Sequence, residues 1–70
     1  MPIISVVLAE GRTTEMKRAF IHALTDAATR TLGVRAEQVR VIINETPLDH
    51  YAVAGVTFAA RQGANEESAT

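Results

Sequence analysis

The sequence predicts an α/β fold: a single βαβ unit with a short C-terminal hairpin, completed by oligomerisation. Three observations predict it. Two short runs rich in Ile and Val, "PIISVVL" and "VRVIIN", flank one long helix-period segment, "TTEMKRAFIHALTDAATRTLG". A crossover of that length cannot close a hairpin, so the two strands are expected to be parallel and the connection right-handed. The chain has only 70 residues, of which 47% are hydrophobic, and it has no cysteine. So small a domain needs a staple. Without disulfides or a thiolate metal site, association with further copies is the one left.

The first strand is expected over Pro2 to Leu8. It is almost wholly apolar, the pattern of a strand covered on both faces. Proline has no N–H for a ladder and is tolerated at a first position. Gly11 then turns the chain. Thr13 is a natural helix N-cap, and Glu15 sits in the first turn near the positive end of the dipole. Met16, Phe20, Leu24, Ala28 and Leu32 form a row at spacing four, widened by Ala19, Ala23 and Ala27 into a stripe, so one face of the helix is expected to pack on a partner surface. Gly33 supplies the C′ position. "VRAEQ" is a connector, and the second strand is expected over Val39 to Asn44. Pro47 and Asp49 mark a turn, after which "YAVAGVTF" reads as a short extended piece or hairpin. "GANEESAT" is small and polar, the composition of a frayed end. One domain over residues 1–63 and a flexible tail over 64–70 are therefore expected.

A net charge of -1 and a pI near 6.0, with no basic tract, argue against nucleic acid and anionic membranes as partners. No apolar run reaches the length of a membrane span. "MPIISVVLAEGR" lacks the basic start of a secretory signal and is interrupted by Glu10 and Arg12. A cytoplasmic protein is expected. His22 and His50, the only histidines, lie far apart without ligand spacing, so no metal is expected; they read as a solvated helix residue and a turn residue. The acids Glu10, Asp26, Glu37, Glu45 and Asp49 show no paired-acid spacing. There is no glycine-rich phosphate loop and no nucleophile elbow.

Four residues stand out. Methionine aminopeptidase removes Met1 when the second residue is small, and Pro2 would then carry a free secondary amine, a base and a nucleophile. The plain alternative is a residue that merely starts a strand. Arg40 interrupts the apolar "VRVII", where a charge needs a partner or an anionic ligand. Arg12 follows a glycine turn beyond the far end of the first strand; alone it reads as a solvated loop arginine. Tyr51, the only tyrosine, reads as a hydrophobic anchor or the wall of an apolar pocket. Parallel strands put Pro2 and Arg40 at the same end of the sheet. Arg12, at the other end, is expected to join them from another subunit.

Taken together, these residues resemble the 4-oxalocrotonate tautomerase family, the 2-hydroxymuconate tautomerases. The resemblance runs from Pro2 to about Gly63 and rests on "MPII", "LAEGRTTEMKRAF", "VRVIINE" and "DHYAVAG". It implies a tautomerase/MIF-like fold and a homohexamer, a trimer of dimers with pockets shared between subunits. It also implies a cofactor-independent isomerase acting in aromatic hydrocarbon catabolism. Pro2 matches the family's catalytic amino-terminal proline, Arg12 the arginine that grips the distal carboxylate, and Arg40 the arginine beside the 2-hydroxy or 2-oxo group. Tyr51 stands where the family has a phenylalanine, so its hydroxyl adds polarity to an otherwise apolar wall. "YAVAG" offers no carboxylate to activate water, unlike the related 3-chloroacrylate dehalogenases. The implied reaction is enol–keto tautomerisation of an unsaturated 2-hydroxy dicarboxylate, with Pro2 as general base. Two alternatives are another proline-dependent reaction on the same scaffold, decarboxylation or iminium chemistry, and a non-enzymatic strand–helix–helix DNA-binding dimer. The second strand and the acidic balance argue against the latter.

Overall fold

The computed structural model describes residues 1–64. In order, these form β1 (Ile3–Ala9), α1 (Thr14–Leu32), β2 (Arg40–Thr46), the short strands β3 (Ala52–Val53) and β4 (Val56–Thr57), and α2 (Phe58–Ala64). β1 and β2 pair in parallel, as the crossover length required, in a register running from Ile3↔Arg40 to Ala9↔Thr46. β1 starts one residue later than expected. Pro2 has no N–H to give the ladder and enters it only through its carbonyl, which accepts from the Arg40 N–H at 2.9 Å. β2 also starts one residue later, because "AEQ" closes a single 3₁₀ turn and the Val39 N–H is spent on Ala36 O. It runs on to Thr46, whose carbonyl receives the Glu10 N–H at 3.0 Å.

α1 is capped as the sequence indicated. The Thr13 hydroxyl accepts from the Met16 N–H at 3.1 Å, and Gly33 ends the helix in the left-handed region at φ 71°. The packed face differs from the expected row. Ile21, Leu24 and Ala28 turn toward the sheet, with Ala28 only 6% exposed, while Met16, Phe20 and Leu32 remain exposed. The reason is geometric: each step of four residues gains about 40° around the axis, so a row at spacing four winds off any flat partner. Lys17, on the packed face, meets Glu45 of β2 at 2.9 Å and pins the start of the helix to the end of the strand.

The sheet is covered on one face. Ile4, Val6, Leu8, Val41 and Ile43 lie half-buried beneath α1. Ile3, Ser5, Val7, Arg40, Ile42 and Asn44 face away from it, and Val7 is 70% exposed. The expectation that β1 is covered on both faces is therefore not met within one chain. β3 and β4 form the expected hairpin, joined by Ala54 and Gly55 at φ 56° and 80°, the two positive values of a type I′ turn. α2 was not anticipated; it begins within "YAVAGVTF" and continues through Ala64. The remainder of the expected tail lies outside the described residues. The radius of gyration is 15.7 Å, against about 11 Å for a compact domain of this length.

Candidate active site

The parallel register brings two of the four singled-out residues together. Ile3 opposes Arg40, so Pro2 lies at the mouth of the strand pair beside the Arg40 backbone. The Arg40 side chain belongs to the bare sheet face, and its Nη1 donates to Glu37 O at 3.1 Å. Two cations without a carboxylate partner, Arg40 and Arg12, thus stand at strand ends; among the described residues no acid lies within ion-pair distance of either.

The second pair lies at the opposite end. Arg12 and Tyr51 line one concavity of ≈ 600 Å³ together with Leu8, Thr46, His50 and Phe58. The loop after β1 and the turn before Tyr51 are drawn together by the Leu48 N–H, which donates to Glu10 Oε2 at 3.4 Å. The Tyr51 ring stacks on Phe58, with centroids 5.3 Å apart and planes inclined at 26°. Between the two ends runs the whole of β1, seven residues, which is roughly 20 Å of extended chain. One chain therefore places two candidate half-sites at opposite ends of β1: Pro2 with Arg40 at one, and Arg12 with Tyr51, His50 and Phe58 at the other.

Sequence reasoning passed over two residues of the second half-site. His50 is a turn residue, as read, but it also lines the concavity. Phe58 was placed in an extended run, whereas it begins α2. A signal for that helix existed. Thr57 precedes "FAARQ", good helix formers, and its hydroxyl caps the Ala60 N–H at 3.1 Å. His22 is exposed on α1, where it lines a separate concavity with Arg18, Asp26 and Ala36. Among the described residues no group of three His, Cys, Asp or Glu side chains is placed to hold a metal ion. Among the described residues no helix is long and apolar enough to cross a membrane.

Comparison with known proteins places this geometry in a lineage. The family described as tautomerase enzymes matches residues 2–61. A 2-hydroxymuconate tautomerase of Bacillus subtilis is 46% identical over 55 residues, covering 79% of this chain and 89% of the relative. One of the 4-oxalocrotonate tautomerase isozymes of Methylibium petroleiphilum superposes with a TM-score of 0.86 at 54% identity, covering 90% of this chain and 98% of the other. A heterohexameric 4-oxalocrotonate tautomerase of Chloroflexus aurantiacus superposes at 0.80 with 37% identity, covering 84% and 95%. With sequence and fold agreeing along nearly the whole described length, the chain belongs to the tautomerase family and is an isomerase.

Proposed function

We propose that this protein catalyses enol–keto tautomerisation of an unsaturated 2-hydroxy/2-oxo dicarboxylate such as 2-hydroxymuconate. The observation that carries the reading is the split of one chain into two complementary half-sites. Pro2 beside Arg40 supplies a base and a cation; Arg12 beside Tyr51 supplies a carboxylate fork and an apolar wall. The Bacillus subtilis relative supports the substrate class. Residues 1–63 act as the catalytic domain. A homohexamer, a trimer of dimers in the cytoplasm, brings the Pro2 end of one subunit to the Arg12 end of another. The hexameric neighbour and the bare sheet face support that assembly.

The chemistry follows from the groups. After loss of Met1, the neutral Pro2 nitrogen takes the proton of the 2-hydroxyl group. The oxygen becomes a carbonyl as the double bonds shift along the conjugated chain, and the same nitrogen returns the proton to carbon. Arg40 stabilises the negative charge that develops on the oxygen end, an interaction stronger in the transition state than in the ground state. Arg12 holds the far carboxylate as a bidentate fork. No step in this sequence calls for a metal or an organic cofactor.

The deciding experiment blocks the amine and leaves every side chain in place. Intact mass establishes whether Met1 is removed. A variant with residues added before Pro2 is expected to assemble normally and to lose nearly all activity on 2-hydroxymuconate. Full activity from that correctly assembled variant removes Pro2 as the base. A panel including a 3-oxo acid and an aldehyde tests the same amine for decarboxylation and iminium formation.

A further inference from the structure

We propose that Phe58, the first residue of α2, is a positioning residue for this site: its ring backs Tyr51 and sets the aromatic wall over the Arg12 concavity. The inference deepens the proposed tautomerase reading and rests on it for its kinetic consequences. Four observations lead to it. Tyr51 and Phe58 occupy the rung next to Ala52↔Thr57 of the hairpin, and the Phe58 N–H donates to Tyr51 O at 2.6 Å. Residues directly opposite in an antiparallel pair project to the same side. Their rings are stacked, with centroids 5.3 Å apart, and both line the concavity with Arg12 and His50. Finally, Tyr51 is 44% exposed while Phe58 is half-buried, so the supported ring is the outer one and its support is the inner one.

The start of α2 is itself held in place. The Thr57 hydroxyl caps the Ala60 N–H at 3.1 Å, and Arg61 Nη2 donates to Val53 O at 2.9 Å across the hairpin. Phe58 is thus fixed from both sides of the chain. A flat, conjugated carboxylate gripped by Arg12 then meets a ring whose tilt is already set, rather than a free tyrosine that must be ordered on binding. Phe58 acts on substrate through Tyr51. Its effect therefore belongs in KM, and the proton transfer at Pro2 is left alone.

The molecule carries its own reporter. Tyr51 is the only tyrosine and there is no tryptophan. The near-ultraviolet circular dichroism of the tyrosine band reads this one ring, without ligand and without turnover. Phe58→Ala and Phe58→Leu are compared with the parent protein, and light scattering checks assembly. Both variants are expected to lose intensity in the tyrosine band, Ala more than Leu. For Phe58→Ala, KM for 2-hydroxymuconate and the calorimetric Kd for muconate, which lacks the 2-hydroxyl group, are expected to rise about fivefold. The kcat is expected to stay within about twofold. If Phe58→Ala fails to assemble, Phe58→Leu keeps most of the packing volume and decides by its band. An unchanged tyrosine band in the assembled variants overturns the proposal. So does a fall in kcat with KM unchanged. Should the parent protein prove inactive on 2-hydroxymuconate, the functional reading fails alone, and the ligand-free band still judges Phe58.

Discussion

At the scale of single residues, the proposed reaction separates roles by which kinetic constant each residue should move. Arg12→Ala removes a charge-assisted fork made equally in ground and transition states. KM for dicarboxylates is expected to rise by about tenfold to a hundredfold, with kcat little changed. Arg40→Ala removes a cation that faces charge only as it develops, and kcat is expected to fall on the order of a hundredfold. Steady-state kinetics on 2-hydroxymuconate check both; wild-type constants in both variants would overturn the assignment. The base must be unprotonated to act, so kcat/KM is expected to rise with pH along a single limb set by the Pro2 amine. A profile flat across neutral pH contradicts an amine base. Pro2 beside Arg40 was legible from sequence, since two parallel strands must start at one end. His50 and Phe58 were not, because their approach to Arg12 depends on a hairpin folding back over the end of β1. No local pattern records such a non-local contact.

At the scale of the elements, caps and turns were legible because their chemistry is local. Thr13 and Gly33 bound α1 as their residue types require. Thr13→Ala is expected to cost about 1 kcal/mol, read as a lower denaturation midpoint with an unchanged slope. The strand starts each moved by one residue for equally local reasons, the missing N–H of Pro2 and the 3₁₀ turn over Ala36–Gln38. The helix face was read in part: Leu24, Ala27 and Ala28 pack while Met16, Phe20 and Leu32 do not, because a row at spacing four imitates a stripe over two turns and departs from it over five. Ala54 is a β-carbon-bearing residue at φ 56°, where Asn is better tolerated. Ala54→Asn is expected to stabilise the hairpin by on the order of 0.5–1 kcal/mol. Thermal unfolding tests this, and a lower Tm would count against the turn geometry described above.

At the scale of the whole molecule, the described part of one chain leaves much apolar surface bare. Among the described residues nothing covers the sheet face that Ile3, Val7 and Ile42 share, and Met16 and Phe20 add an exposed apolar strip on the helix. A lone two-stranded sheet of this kind is marginal in water. Ile42→Lys places a charge on the bare face and is expected to shift the protein to smaller, less stable species by light scattering. A hexamer unaffected by that change would mean the face stays open to solvent. The two half-sites at opposite ends of β1 then carry a consequence for inheritance as well as for chemistry. On the proposed assembly, a chain blocked at Pro2 is inactive and a chain carrying Arg12→Ala turns over poorly at low dicarboxylate concentration, yet each keeps the half-site the other has lost. Co-expressed and assembled at random, they are expected to restore roughly a quarter of the catalytic centres, because each centre draws its halves from different chains. Two defective alleles would then complement within one particle at low substrate concentration, and a mixture with no low-KM activity would mean that each centre is built from a single chain.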